Sequence, residues 1–256
     1  MKCVDAHLHF NLAKKNPAED IVQELKGSDC SAGVLILNTV DDKNFFLEHS
    51  RELFDSGIGW HIGVLVGLSS CQADVRLWEF LRSDKIPYSI KLHPRLSRLA
   101  LDDIPCVLSR IPTMATGFQN IIIDGFYYGA HLENRISLEL AIAASRMFPT
   151  RNIVYSHSGG IRVLETLLHM RELSNVVYDF SLSCNYLCKT SVRQDFVQML
   201  RFNKSRVMFG SDYPDFAVKN ASEATRDLAC DADLSPAESM DLFYNNALKY
   251  YRFTLI

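Results

Sequence analysis

The sequence predicts a single (β/α)₈ barrel spanning residues 1–256. Eight short, mostly apolar runs have the composition of strands buried on both faces, and a helical stretch follows each one. Strict alternation of strand and helix implies parallel strands with crossover helices, and roughly 250 residues is the usual length of eight such units. A doubly wound open sheet is the alternative, but no Gly-x-Gly-x-x-Gly turn follows the first strand and the chain has no P-loop. No linker or repeat indicates a second domain.

The strands are placed by their apolar runs and by the turn residues that bound them. In chain order they cover residues 4–9, 33–38, 58–66, 89–93, 120–124, 152–157, 175–180 and 206–212. Because side chains alternate along a strand, His7 and His9 are expected on one face of the first strand. Val4, Ala6 and Leu8 are expected on the opposite face, packed against the helices.

The helices are placed by start signals and by the spacing of apolar side chains. Pro17 begins the first helix, and either Asp41 or Asp42 caps the second. The last helix begins at a capping box in which Ser235 precedes Glu238. Further helices are expected at 72–83, 101–116, 132–147, just after 159–160, and around 190–202.

Composition narrows the class of protein. With 48% hydrophobic residues, 22% charged residues and a net charge of -3, we expect a soluble protein without nucleic acid or a membrane as partner. No secretory signal opens the sequence, and no apolar run approaches the roughly 20 residues that cross a bilayer. The seven cysteines are scattered and form no Cys-x-x-Cys pair, which suits a reducing compartment better than a disulfide framework. A cytoplasmic location is therefore expected.

Polar side chains collect at the predicted strand ends, where barrels of this kind carry their active sites. These residues are His7, His9, Lys91, His93, Asp124, His157, Asp179 and Asp212. Four of the eight histidines of the chain are among them, which random placement would rarely produce. The sequence therefore predicts a functional site on this rim.

Imidazoles and a carboxylate on one rim suit a divalent metal with an open position for water. A bound metal makes that water a nucleophile at neutral pH, and Asp212 is the expected acid/base beside it. The alternative for Asp212 is a simple turn before Pro214. Lys91 and His93 lie two apart on one strand, so either could bind a substrate carboxylate or carbonyl oxygen. Lys91 could also be a modified, metal-bridging lysine, or a buried lysine paired with an acid.

Four motifs resemble the amidohydrolase superfamily. They are Asp-Ala-His-Leu-His at 5–9, Lys-Leu-His-Pro at 91–94, Ser-His-Ser-Gly-Gly at 156–160 and Phe-Gly-Ser-Asp-Tyr-Pro at 209–214. More narrowly, they resemble the amidohydrolase-related branch, which includes the aminocarboxymuconate-semialdehyde decarboxylase-like enzymes. The resemblance implies a metal-dependent TIM barrel, with Zn²⁺ as the usual metal and Mn²⁺ as the alternative. By motif, its ligands would be His7, His9, His157 and Asp212.

One position departs from that branch, which commonly has a ligating histidine at the end of the fifth strand. This chain has Asp124 there, so Asp124 is a tentative metal ligand only. Aspartate oxygen can bind zinc, but the change could also weaken the site, alter the preferred metal, or mark a member that works without one.

Three hypotheses about function follow. The first is a metal-dependent hydrolase that attacks the carbonyl-type carbon of an amide, ester or lactone in a small molecule. The second is a non-oxidative decarboxylase of a small carboxylic acid, and the third is a catalytically inactive barrel. The expected catalytic residues are Asp212, His157 and Lys91, and the expected substrate-binding residues are His93, Arg95 and Tyr213. Assembly into a homo-oligomer stays open.

Overall fold

A computed structural model describes residues 2–67, 72–129 and 134–254 of the chain. Its eight strands are parallel and lie side by side in chain order. They are β1 Cys3–Leu8, β2 Cys30–Leu37, β3 Gly59–Leu65, β4 Tyr88–Leu92, β5 Asn120–Asp124, β6 Asn152–Ser156, β7 Val176–Asp179 and β8 Val207–Met208. Parallel order from first to last strand is the topology that the alternating pattern predicted.

The helices form the outer layer and connect successive strands. They are α1 Pro17–Gly27, α2 Val40–Phe54, α3 Gln72–Ser83, α4 Ile104–Met114, α5 Ile136–Met147, α6 Val163–Met170, α7 Ser183–Leu187, α8 Arg193–Asn203, α9 Val218–Asp231, α10 Pro236–Met240 and α11 Asn246–Tyr250. A π-helical stretch, Asp241–Asn245, joins the last two. No helix in the described part of the chain combines the length and the apolar composition that a membrane crossing needs.

Backbone hydrogen bonds between the first strand and the segment after β8 bring the two ends of the sheet together. The amide of Ala6 donates to the carbonyl of Phe209 at 2.9 Å, and the amide of Asp212 donates to the carbonyl of His7 at 2.9 Å. The sheet is therefore a nearly closed barrel, which confirms the predicted fold. This closure also sets His7 and Asp212 next to each other on the rim.

The strands separate two hydrophobic cores. Val4, Ala6 and Ile122 belong to a cluster inside the barrel, whereas Leu8 belongs to the larger cluster that includes helix residues. The expectation that Val4, Ala6 and Leu8 share a helix-facing side of β1 is therefore wrong. A register shift between Asp5 and Leu8 interrupts the alternation, because pairing with β2 skips one residue there.

The structure corrects the predictions made from the sequence at three further points. The N-cap of α2 is Thr39, and Asp42 occupies the third helical position of its capping box. Helix α9 was not predicted, because Ala217 gives it no side-chain cap and its buried face consists largely of small residues. Cys3 and Cys30 form a disulfide between the starts of β1 and β2. The capping box at Ser235 is confirmed.

Candidate active site

A cavity of about 320 Å³ opens at the C-terminal ends of the strands. The predicted site residues that line it are His7, His9, Lys91, His93, Arg95, Asp124, His157 and Asp212. Tyr213 is not among the described residues that line this cavity. Its side chain is buried, and its hydroxyl donates to the carboxylate of Asp20 on α1. The nearly closed barrel thus brings these eight predicted site residues to one cavity, and Asp179 lies behind it against His7.

His7 presents one unprotonated nitrogen to the cavity. Its Nδ1 lies 3.3 Å from Oδ2 of Asp179, and a carboxylate can only accept, so the proton of the neutral ring belongs on Nδ1. Burial, with the nearby charge of Lys91, lowers the pKa of His7 to about 4. His7 is therefore neutral at pH 7, and its Nε2 carries a lone pair.

His9 is oriented in the same way by a different acceptor. Its Nδ1 lies 3.0 Å from the carbonyl oxygen of Ile36, so the proton of the neutral ring again belongs on Nδ1. The Nε2 atoms of His9 and His7 lie 3.4 and 3.5 Å from Oδ1 of Asp212. Both rings therefore direct their second nitrogen at the same carboxylate oxygen.

Asp212 is a carboxylate in this arrangement. Burial raises its pKa, but the charge of His157 and the contacts with His9 and His7 outweigh burial and hold the pKa well below its usual range. Its backbone φ of 61° is in the left-handed region, which is uncommon for an aspartate and often found at functional sites. Lone pairs of neutral imidazoles repel a carboxylate oxygen unless a cation, either a proton or a metal ion, lies between them.

Lys91 lies beside this group on β4. Its side chain is buried, and its Nζ lies 3.1 Å from Nε2 of His7, to which the ammonium donates. Burial lowers the pKa of Lys91, although the charges of Asp124, Asp179 and Asp212 act in the opposite direction. Because of its contact with His7, Nζ of Lys91 lies close to the position that a cation bound by His7 and Asp212 would take.

His157 carries protons on both ring nitrogens. Its Nδ1 lies 3.0 Å from the carbonyl oxygen of Ser181, and its Nε2 lies 3.1 Å from Oδ2 of Asp124. The carbonyl and the carboxylate only accept, and the hydroxyl of Ser181, 2.9 Å from Nδ1, itself donates to Asp179, so both ring nitrogens donate. Burial lowers the pKa of His157, but the hydrogen bond to Asp124 and the charges of Asp212, Asp124 and Asp179 outweigh it and raise the pKa to about 9.

Asp124 completes this ion pair on the side of the cavity that β5 forms. Its Oδ2 also lies 3.4 Å from Nε2 of His93. Burial raises the pKa of Asp124, but His93 and His157 outweigh it and hold the pKa well below its usual range. In the described part of the chain, Asp124 is in neither group of donors close enough together to share a metal ion. His157 shares one such group with His7 and Asp179. It would have to give up a proton to bind a metal, so its role as a ligand stays a prediction.

Comparison with known families identifies the chain. The family model Amidohydro_2, described as amidohydrolase, matches residues 57–253, which is more than half of the sequence. The chain belongs to the amidohydrolase family. Family membership indicates an enzyme, and the narrower branch suggested by the motifs is consistent with it. Comparison with curated protein sequences gives no significant match.

Solved structures support the fold of this amidohydrolase. An uncharacterized TIM-barrel protein from Bordetella bronchiseptica gives a TM-score of 0.67 at 14% identity, covering 98% of each chain. An apo structure from Agrobacterium tumefaciens gives 0.66 at 14% identity, covering 99% of this chain and 97% of the other. Guanine deaminase from C. acetobutylicum gives 0.56 at 12% identity, covering 91% of this chain and 61% of the deaminase. At these identities the likeness concerns the fold alone.

The amidohydrolase family is generally metal-dependent, and the donors of this chain fit a divalent cation. His7, His9 and Asp212 form a group whose candidate ligand atoms lie within 4.8 Å of one another. Zinc bonds of 2.0–2.2 Å in tetrahedral geometry separate neighbouring ligand atoms by about 3.4 Å. The two measured separations, 3.4 and 3.5 Å, agree with that value. The ammonium of Lys91 donates to Nε2 of His7, so this hydrogen bond would have to break before His7 could bind a metal.

Asp179 is the main residue that sequence reasoning left without a role. It is fully buried, and its Oδ1 accepts from the amide of His157 at 3.0 Å and from the amide and hydroxyl of Ser181, while Oδ2 faces His7. The left-handed backbone of His157, with φ of 61°, belongs to the turn in which its amide meets this carboxylate. The one sequence feature that indicated a role for Asp179 was its position at the end of a predicted strand, which it shares with Asp212.

Proposed function

We propose that this amidohydrolase is a metal-dependent hydrolase that attacks the carbonyl-type carbon of an amide, ester or lactone in a small molecule. The observation that carries the proposal is the convergence of the Nε2 atoms of His7 and His9 on Oδ1 of Asp212. Zn²⁺, with Mn²⁺ as the alternative, held by these three residues would supply Lewis acidity and a lowered pKa for water.

Asp212 is the proposed acid/base. Because its carboxyl is ionised and faces the cavity, it can accept a proton from the attacking water. The oxygen of the water forms the new bond to the carbonyl carbon. When the carbon–nitrogen or carbon–oxygen bond then breaks, Asp212 returns the proton to the leaving heteroatom. The same carboxylate thus serves both half-reactions.

Two cations are proposed to stabilise negative charge that develops on the carbonyl oxygen. Lys91 contributes an ammonium in a buried position, where charge interactions are less screened than in water. His157 is held as an imidazolium by Asp124 and by the carbonyl of Ser181. Because both of its N–H groups are engaged, His157 acts through its charge while Lys91 remains the available donor.

His93 and Arg95 are proposed to bind the substrate. The guanidinium of Arg95 stacks over the ring of Tyr128 at 4.4 Å, which leaves the edge of its planar fork available to a carboxylate. Nδ1 of His93 is buried and has no hydrogen-bond partner among the described residues. Since Nε2 faces the carboxylate of Asp124 at 3.4 Å, this Nδ1 is the nitrogen that can accept from a hydroxyl or an N–H group of the substrate.

Arg95 is also the observation that favours the second candidate, decarboxylation of a small carboxylic acid. A guanidinium at the cavity would position the carboxylate that leaves as CO₂. The two reactions differ in their products, so assays of CO₂ release and of acid or amine release from the same set of compounds distinguish them. Release of neither, with full retention of metal, would favour the inactive barrel.

Metal analysis of protein purified without chelator tests the proposal. We expect about one Zn²⁺ or Mn²⁺ per chain, with most of it lost in His9→Ala and retained in His49→Ala. His49 is the matched control because its Nδ1 pairs with Glu52 on the outer helix α2. Trace metal in the native chain, with no hydrolysis or decarboxylation restored by Zn²⁺ or Mn²⁺, would refute a metal-dependent enzyme.

A cytoplasmic location stays a proposal, and the Cys3–Cys30 disulfide bears on it because disulfides persist mainly in oxidising compartments. Alkylation of thiols at the moment of cell lysis, followed by mass spectrometry, shows whether the two cysteines are free. Two alkylated thiols agree with a cytoplasmic location, whereas a bonded pair speaks against it.

A further inference from the structure

A second cavity, of about 360 Å³, lies at the opposite end of the barrel from the candidate active site. It is formed where β4, β5 and β6 begin, together with the segment that follows α3 and the chain beyond α11. In barrels of this kind the chemistry takes place at the other end. A ligand bound here would therefore be separate from the substrate.

Four cationic side chains from different parts of the chain line this cavity, and no acidic side chain is among its described lining residues. They are Arg82 on α3, Lys85 before β4, Arg151 before β6 and Arg252 after α11. The local excess of positive charge is notable because the whole chain has 30 acidic and 27 basic residues.

Some basic residues on the surface are paired with an acid. Arg193 pairs with Asp231 at 2.6 Å, and Lys204 pairs with Glu238 at 2.8 Å. In residues 2–67, 72–129 and 134–254, none of the four cavity cations forms an ion pair within 4.0 Å. The adjacent acid, Asp84, does not line the cavity, and its carboxylate accepts from Ser83 at 3.1 Å. Grouped cations without acids repel one another unless an anion lies among them.

One guanidinium and the backbone of a second arginine are held in place before any ligand binds. The guanidinium of Arg151 stacks over the ring of Phe118 at 4.9 Å. The backbone of Arg252 is fixed on both sides, since its amide donates to the side chain of Gln119 at 2.9 Å and its carbonyl accepts from His61 at 2.8 Å. Such preorganisation lowers the entropy cost of binding.

We infer that this cavity binds a small anion that carries phosphate groups. Three of its four cations are arginines, whose planar fork matches two oxygens of one phosphate. The volume suits a small phosphorylated compound and is too small for a folded partner. The inference does not depend on the reaction at the other end of the barrel, so either can fail without the other.

Calorimetric titration with pyrophosphate at constant ionic strength tests the inference, with citrate as the carboxylate counterpart. We expect one pyrophosphate per chain at this site and weaker binding of citrate. The double variant Arg82→Gln/Arg252→Gln should lose roughly tenfold or more in affinity, since two charge-assisted contacts are removed. Lys189→Gln/Lys219→Gln removes the same charge from exposed lysines outside this cavity and should bind pyrophosphate as the native chain does.

Three results would overturn the inference. The first is equal loss in both double variants, which would mean a general effect of charge. The second is binding that survives in Arg82→Gln/Arg252→Gln and disappears in His9→Ala, because pyrophosphate would then occupy the candidate metal site. The third is preference for citrate. Should Arg82→Gln/Arg252→Gln fail to fold by circular dichroism, Lys85→Gln/Arg151→Gln gives the same test on the other two cations.

Discussion

Replacing Asp179 with asparagine is expected to weaken metal binding at the candidate site without removing any proposed metal ligand. The native carboxylate accepts the proton of His7 Nδ1 at 3.3 Å and receives the amides of His157 and Ser181 at 3.0 and 3.1 Å. Asparagine keeps the shape but has one accepting oxygen instead of two. Whichever way the amide is turned, its NH₂ group faces a donor that the carboxylate had accepted.

The size of the effect follows from these contacts. If the NH₂ group faces His7, the ring must move its proton to Nε2 to accept, and the lone pair directed at Asp212 is lost. Loss of an acceptor that orients a metal-binding histidine costs roughly 10- to 100-fold in metal affinity or activity. If the NH₂ group faces the amides instead, a buried donor is left unpaired, at a cost of about 1–3 kcal/mol in folding stability.

Competition for Zn²⁺ against a chromophoric chelator measures the first outcome, and urea unfolding of metal-free protein measures the second. Asp227→Asn on the exposed face of α9 is the charge-matched control and should change neither quantity. Native metal affinity, native rate and native stability in Asp179→Asn would refute the assignment of Asp179 as the residue that positions His7.

Three further predictions concern packing, pH and substrate binding. Gly125→Ala should destabilise the fold by about 2 kcal/mol or more in urea unfolding, because the new Cβ would lie 2.5 Å from the carbonyl oxygen of Ser156; Gly27→Ala, with nothing within 4 Å, is its control and should be neutral or slightly stabilising. Burial lowers the pKa of His61 to about 4 from 6.5, so the folded chain binds fewer protons than the unfolded chain between these values. The contribution of His61 to the free energy of unfolding, about 3 kcal/mol, should therefore be complete above pH 6.5 and disappear as pH falls to 4. In His61→Gln the free energy of unfolding should depend less steeply on pH over this range. The same pH dependence in both proteins would contradict the prediction. Arg95→Gln should raise KM for a carboxylate-bearing substrate roughly tenfold with little change in kcat, and an equal effect on a neutral analogue would argue against a carboxylate at Arg95.

Much of the barrel could be predicted because its strands are buried on both faces and therefore appear as continuous apolar runs. β5, with Ile121, Ile122 and Ile123, shows this most clearly, and its boundaries agree with the structure. Helix α9 could not be recognised in the same way, since small residues such as Ala221 and Ser222 form much of its buried face. The bulge in β1 was equally hidden, because a register shift depends on the neighbouring strand and leaves no mark on the local pattern.

Which side chains share the cavity could also be predicted, because the ends of parallel strands meet at one rim. What each one does there could not, because that depends on hydrogen-bond partners distant in sequence. Tyr213 follows Asp212 directly, yet it contacts Asp20 on α1 instead of lining the cavity. One oxygen of Asp179 accepts from the nearby amide of Ser181, but the other orients His7, which is distant in the sequence.

The aspartate at the end of β5 shows the same dependence and gives the departure from the family pattern a physical meaning. A histidine there could offer a lone pair to a metal, but it could not hold His157 as a cation. Asp124 accepts from His157 at 3.1 Å, so the fifth and sixth strands together supply a buried ion pair in place of two neutral nitrogens. The remaining donors, His7, His9 and Asp212, come from β1, its continuation and the segment after β8, and these three residues would hold a divalent cation.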